Sequence, residues 1–297
     1  MQPLLERLAA GDVLVADGAM GTMLQAEGLE PGQCPESFNL TRPQVLLEIA
    51  RQYLEAGADI IQTNTFGGSP ARLAMHQLAD RTDGINRAAV RAVCDAVGDR
   101  AYVSGSCGPS GRILKPYGDT DPQDLYAGFR RQIECLIDAG VDCVCVETMV
   151  DLNEATLAVK AAKDASPSIP VLATMTFDAT PRGFYTIMGV SVEAAAGGLA
   201  DAGADVVGSN CGNGIERMVE IAGQFHEHSR LPLIIQSNAG LPQMQDGKPV
   251  YRETPEFMAD RARALIEVGV SIIGGCCGTT PQHIRALRRM VDASGRR

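Results

Sequence analysis

Asp201-Ala202-Gly203-Ala204-Asp205-Val206 decides the fold, because close variants of it recur along the chain. Its counterparts are Glu55-Ala56-Gly57-Ala58-Asp59-Ile60, Asp138-Ala139-Gly140-Val141-Asp142-Cys143 and Glu267-Val268-Gly269-Val270-Ser271-Ile272. Each closes an amphipathic stretch, turns at a glycine suited to the left-handed conformation after a helix, and enters a β-branched run. The motif is a helix-to-strand joint. Strands and helices alternating in this way imply a parallel sheet with crossover helices.

Working outward from the joints, apolar runs bounded by turn residues predict eight strands: Val13 to Ala16, Asp59 to Thr63, Tyr102 to Ser106, Cys143 to Glu147, Val171 to Thr176, Val206 to Ser209, Leu233 to Gln236 and Ser271 to Gly274. Helices fit between them. Thr41 with Gln44 reads as a capping box ahead of Leu46, Ile49, Ala50, Tyr53 and Leu54 on one face. Asp151 and Thr254-Pro255 read as further helix starts. A doubly wound sheet would also alternate, but Asp17-Gly18-Ala19-Met20-Gly21-Thr22 after the first strand lacks the glycine spacing of a dinucleotide loop. The expected fold is α/β, a single (β/α)8 TIM barrel. No linker or low-complexity break interrupts it, so residues 1–297 are expected to form one domain.

Composition narrows the function. Aromatics are 4% and Trp is absent, so the core must be aliphatic. A net charge of -10 argues against nucleic acid or an anionic membrane as partner. No apolar run approaches the roughly 18 residues of a membrane span. Nine cysteines is an odd number, and Met1-Gln2-Pro3-Leu4-Leu5-Glu6-Arg7 has neither a basic nor an apolar leader region. A cytoplasmic setting is expected, where cysteine spacing reads as metal binding or catalysis before disulfides.

Two turns concentrate the sulfur. Gly274-Gly275-Cys276-Cys277-Gly278-Thr279-Thr280-Pro281 follows the last strand and leads into a helix with Thr280 as N-cap. Gly208-Ser209-Asn210-Cys211-Gly212-Asn213-Gly214 follows the sixth strand. Three thiolates from Cys211, Cys276 and Cys277 would suit zinc and leave a tetrahedral ion one ligand short, the mark of a catalytic site. Neighbouring strand residues point to opposite faces, so both vicinal thiols reach one metal only if the strand breaks, which the flanking glycines allow. Cys276 and Cys277 could instead be small buried hydrophobes or a reversible vicinal disulfide. With three anionic ligands a zinc ion is a poor activator of water but can hold an incoming thiol as a nucleophilic thiolate. Alkyl transfer to a thiol is the chemistry expected, with a structural-zinc or thiol-redox module as the alternative.

Strand ends supply the rest of the site, because the C-terminal ends of barrel strands carry the chemistry. Asp17 and Glu147 are placed to hold a substrate ammonium, with backbone N–H groups of Gly18 and Ala19 receiving its carboxylate. Asn64 ends the second strand and Asn238 the seventh, where Asn238 could reach an open metal position. Cys107, after the third strand, could close the site as a fourth thiolate, but reads first as a small residue in the Gly105-Ser106-Cys107-Gly108-Pro109 turn. His76, His226, His228 and His283 fall in helical stretches and read as surface or packing residues.

These motifs, with Asn64-Thr65-Phe66-Gly67 and Glu147-Thr148, resemble the homocysteine S-methyltransferase family from near the start of the chain to near its end. The resemblance implies a zinc-bearing barrel that methylates homocysteine to methionine. It makes Cys211, Cys276 and Cys277 the zinc ligands, puts Asp17, Gly18 and Glu147 in the amino-acid pocket and Asn238 near the metal. Cys34-Pro35-Glu36-Ser37-Phe38-Asn39-Leu40-Thr41-Arg42-Pro43 looks most like the homocysteine module of cobalamin-dependent methionine synthase. That likeness implies methylcobalamin, carried by a separate corrinoid protein or domain, as the methyl donor. Other relatives use a small donor, S-methylmethionine or betaine.

Overall fold

The computed structural model describes residues 1–245 and 248–295. Its main sheet contains β1 (Leu14–Val15), β2 (Ile60–Gln62), β3 (Tyr102–Cys107), β4 (Cys143–Met149), β5 (Val171–Met175), β6 (Val206–Asn210), β7 (Leu233–Ser237) and β8 (Ile272–Gly275). Every pairing is parallel and follows chain order, with β8 returning to β1. The remaining seam, β1 to β2, is closed by the Ala16–Ile60 bridge. There the Asp59 N–H donates to the Val15 carbonyl at 2.7 Å and the Asp17 N–H to the Ile60 carbonyl at 3.0 Å. This is the (β/α)8 barrel the joints predict, and all eight expected strands are present in order.

Outside the strands lie α1 (Pro43–Ala56), α2 (Thr82–Val97), α3 (Pro122–Ala139), α4 (Leu152–Ala165), α5 (Val192–Ala202), α6 (Ile215–His228), α7 (Pro255–Val268) and α8 (Pro281–Ala293). At the four joints, Gly57, Gly140, Gly203 and Gly269 take φ of 97°, 102°, 104° and 99°, ending α1, α3, α5 and α7. The aspartate that follows in three of them clips the preceding strand. Asp59 accepts the Val15 N–H at 2.8 Å, Asp142 the Val103 N–H at 2.7 Å and Asp205 the Val171 N–H at 2.7 Å. Each returns its own N–H to the same residue's carbonyl. The fourth joint has Ser271, which keeps only the backbone bond, to Leu233.

Leu14, Tyr102, Cys143, Leu172, Val206, Ile234 and Ile272 fill the N-terminal part of the barrel interior, plugged by Leu4 and Leu8 of the helix Leu4–Ala9. A larger aliphatic layer lies between sheet and helices. Asp151 and Thr254 cap α4 and α7 as expected. Thr41 does not cap α1: it ends the short helix Phe38–Thr41 and donates to the Ser37 carbonyl, while Pro43 opens α1. Proline at a first helical position forces the residue before it out of the helical region, so Arg42 becomes the cap. Two antiparallel hairpins went unpredicted, Asp178–Thr180 with Gly183–Tyr185 and Gln243–Gln245 with Lys248–Val250. Their strands are three residues long and mostly exposed, so they carry little apolar pattern to read. Among the described residues, no helix is long and apolar enough to cross a membrane.

Candidate active site

At the C-terminal mouth of the barrel a cavity of about 240 Å³ reaches down to the sulfurs. Cys211 leaves β6 with φ of 61°, and Gly212 continues the left-handed turn at 74°. Cys276 stays in register, its N–H donating to the Ser237 carbonyl at 2.7 Å. Gly278, with φ of 80°, then breaks the chain direction, and the Cys277 carbonyl accepts the Ala239 N–H at 2.9 Å. The three Sγ atoms lie within 4.8 Å of one another, with Cys211 and Cys277 at 3.7 Å. Zinc–sulfur bonds of about 2.3 Å at tetrahedral angles set sulfurs about 3.8 Å apart, so the triangle fits that ion.

The charges call for a cation as well. Accepting S–H from Cys211 and Cys276 pulls Cys277 down to about 3. Cys276, donating to both neighbours, is pushed well up. Cys211, although it accepts from Cys276, rises to about 11 because it donates to Cys277 and is desolvated. A soft divalent cation would favour ionisation of all three. Cys107 lies apart from this group. It is fully buried and donates to Gln132 Oε1 at 3.4 Å, so it is not a fourth ligand.

Glu147 is re-aimed by a register shift between β4 and β5 at Val146–Met149. The next residue, Thr148, has φ of 60°, a costly conformation for a β-branched side chain. Asn210 holds this bend. Its Oδ1 accepts from Thr148 N at 2.7 Å and Thr174 Oγ1 at 2.8 Å, and its Nδ2 donates to Thr148 Oγ1 at 2.7 Å and Glu147 Oε2 at 3.2 Å. The Ser106 hydroxyl donates to Glu147 Oε1. Burial raises Glu147 to about 7, against the Ser106 hydrogen bond and with help from the Cys277 charge.

Asp17 is buried as well. Its Oδ2 accepts the Gln62 N–H at 2.9 Å and its Oδ1 has no partner. Burial lifts it to about 8, opposed by the Gln62 bond and reinforced by Glu147. Gly18 and Ala19 line the cavity, whereas Asp17 and Asn238 do not. The Ala19 N–H is already bonded to Thr279 Oγ1 at 3.1 Å, so it is not a free donor for a carboxylate. Met20, Gly21 and Thr22, the first turn of the helix Met20–Ala26, also line the cavity. Asn238 is buried with its Oδ1 unpartnered.

Asn64 lines the cavity, but its amide is committed to stitching the mouth together. Nδ2 donates to the Pro35 carbonyl and to Asn39 Oδ1, both at 2.8 Å. This brings Glu36 to the cavity wall, where Oε1 accepts the Gly67 N–H at 2.6 Å and Oε2 the Cys34 S–H at 3.3 Å. Ser106, Thr148 and Asn210 stand at strand ends in the sequence, but their bonds with Glu147, and the place of Glu36 on the cavity wall, were not assigned from it. Inward parity on a strand was the available signal for Ser106 and Asn210. Glu36, in the 3-10 turn Pro35–Ser37, offered none. Among the described residues, no Lys, Arg or His lines the cavity.

The family model for homocysteine S-methyltransferase matches residues 14–291. The methionine synthase of Mycobacterium tuberculosis (strain ATCC 25618 / H37Rv) is 37% identical over 94% of this chain and 24% of its own length. That of Mycobacterium leprae (strain TN) is 37% identical over 97% of this chain and 25% of its own length. The chain therefore spans about a quarter of these curated relatives. Among solved structures, the metallated homocysteine methyltransferase MmuM from Escherichia coli shares the fold with a TM-score of 0.80, at 24% identity and covering 97% of this chain and 99% of that one. The chain belongs to the homocysteine S-methyltransferase family.

Proposed function

Starting from that family membership, we propose that residues 1–297 act as one unit that transfers a methyl group to homocysteine sulfur, giving methionine, with zinc held by Cys211, Cys276 and Cys277. The observation that carries this reading is the sulfur triangle, its Sγ atoms within 4.8 Å of one another, opening onto a cavity. Bound there, zinc supplies a Lewis acid that favours ionisation of an incoming thiol while leaving its sulfur nucleophilic.

The rest of the work falls to the protein. Glu147, kept close to neutrality by burial, ionises fully once it pairs with the substrate ammonium. Asp17, kept largely protonated by burial, stands behind Gly18 with its Oδ1 unpartnered. The first-turn amides at Met20, Gly21 and Thr22 receive the carboxylate. Asn210 keeps Glu147 and the Cys211 turn in fixed relation through its bonds to β4. Asn238, with its unpartnered Oδ1, is the group we assign beside the open metal position before substrate arrives. A cytoplasmic, reducing setting suits three thiols this close together.

The methyl donor we favour is methylcobalamin on a corrinoid protein or domain, because the 37% identical relatives are methionine synthases about four times as long. A small donor, S-methylmethionine or betaine, is the second reading. A closed structural site fits less well, since only three sulfurs cluster among the described residues and a cavity reaches them. The test supplies zinc-loaded protein and homocysteine with methylcobalamin, a methylated corrinoid protein, S-methylmethionine or betaine in turn, and follows methionine. X-ray absorption should show a fourth sulfur replacing a light atom when homocysteine is added. Four sulfurs beforehand with no response, and no methionine with any donor, would sink the proposal.

A further inference from the structure

Cys211 and Cys277 come from turns 66 residues apart, yet their sulfurs sit at 3.7 Å. Something must hold the two turns at that spacing. One residue outside the cavity touches the support of both. The Glu253 carboxylate accepts the Ile215 N–H at 3.2 Å, at the start of α6 and directly after the turn that carries Cys211. Its carbonyl accepts from His283 Nε2 at 3.0 Å, in the first turn of α8 just beyond Cys277. Its N–H donates to the Ala239 carbonyl at 3.0 Å, and Ala239 in turn donates to the Cys277 carbonyl at 2.9 Å.

The surroundings are shaped to this residue. A Cβ on Gly214 would lie 2.2 Å from Glu253 Oε1, and one on Gly240 would lie 3.1 Å from its Cγ. His283, expected to be a packing residue, has a defined tautomer here. Its Nδ1 accepts the Thr280 N–H at 3.2 Å, so Nε2 carries the hydrogen given to Glu253. Two residues upstream, the Tyr251 ring fills the space beside Gly278, where a Cβ would lie 2.1 Å from its Cγ. Its hydroxyl turns toward Cys277.

We propose that Glu253 is a positioning residue of the metal centre, a clamp that ties the Cys211 turn to the Cys276–Cys277 turn and so sets the spacing of the three sulfurs. The inference rests on the zinc reading above. Outer partners of metal ligands commonly contribute about 10- to 100-fold in metal affinity.

The test loads wild-type and variant chains with Zn2+ and follows its release to excess chelator. In parallel, Co2+ is substituted and the thiolate-to-cobalt absorption recorded, and the melting of the metal-free forms is compared. Glu253→Ala should release zinc at least about tenfold faster and alter the cobalt band. Glu253→Gln, whose side-chain carbonyl can still accept the Ile215 N–H, should stay within about twofold of wild type. Gly214→Ala leaves Glu253 intact but pushes a methyl into its carboxylate, and should mimic Glu253→Ala if that variant fails to fold. Wild-type release from both alanine variants, even with lowered melting, overturns the clamp alone. So does loss of metal in the glutamine variant as great as in Glu253→Ala. A wild-type chain that takes up neither metal overturns the zinc reading and the clamp with it.

Discussion

At the N-terminal end of the barrel, Asp59, Asp142 and Asp205 repeat one hydrogen-bond pattern on three different strands. Two of them also pair with cations: Asp59 with Arg288 at 2.8 Å and Asp205 with Lys163 at 2.7 Å. At the C-terminal end no two strands finish alike. Asp17 and Glu147 are buried, and neither makes an ion pair among the described residues. Thr148 and Cys211, two of the three non-glycine residues with positive φ among the described residues, sit there. Such conformations cost about 1–3 kcal/mol each and persist where the surroundings over-determine them. Unpartnered buried oxygens of Asp17, Gln236 and Asn238 gather at the same end. The first end spends its polar groups on holding strands in register; the second keeps them uncompensated for something that arrives.

The largest expected effect lies at the mouth. Cys276→Ala should take bound zinc from about one per chain to almost none and abolish methyl transfer, because two thiolates cannot hold the ion in competition with water. The barrel should stay folded, since Cys276 lies outside the aliphatic layers that carry the fold. Metal content by elemental analysis and far-ultraviolet circular dichroism check both halves. Retained stoichiometric zinc would remove Cys276 from the site, and an unfolded variant would erase the division between the two ends.

The opposite substitution probes the other end. Asp205→Ala leaves the Val171 N–H without its acceptor and Lys163 without its partner. Denaturant unfolding should show a loss of about 1–3 kcal/mol, the range for a buried donor stripped of a charged acceptor. Zinc stoichiometry and the KM for homocysteine should not change. A shift in either would mean that the register of β5 and β6 is transmitted to the sulfurs, and the two ends would no longer be separable.

The same contrast explains what could be read before any coordinates. The joints were legible because a left-handed glycine followed by a β-branched run has one common structural use, and repetition removed the ambiguity. The clips made by Asp59, Asp142 and Asp205 were not, since a carboxylate's partner on the next strand lies 34 to 44 residues away. At the mouth, Cys211, Cys276 and Cys277 announced themselves by residue type and glycine context. Glu36 did not, because bonds from Asn64 to Pro35 and Asn39, and from Gly67 to Glu36 itself, bring its 3-10 turn over the barrel. Ala19 was assigned a free amide that Thr279, 260 residues away, already occupies. His283 looked like packing because nothing local marks a ring that joins its own helix cap to Glu253. Residue chemistry is local, whereas hydrogen-bond partners at a barrel mouth are set by closure.

Asp17 gives the smallest effect and the sharpest contrast in sign. Its folded-state pKa, about 8, lies far above the ordinary 3.8, chiefly through burial. The folded chain therefore holds this proton more tightly than the unfolded chain does. Its contribution to stability is fully present below about pH 4 and is lost as pH rises through about 8. Asp17→Asn removes the titration while keeping an oxygen for the Gln62 N–H. At pH 8 the metal-free variant should be more stable than wild type, and near pH 4 the two should converge. Homocysteine binding should weaken in the same variant above about pH 8, where wild-type Asp17 is ionised and the variant carries no charge. Thermal melts at both pH values with homocysteine titrations decide it. A variant less stable than wild type at pH 8 would show Asp17 to be as structurally committed as Asp205, and the mouth would hold no uncompensated charge at that position.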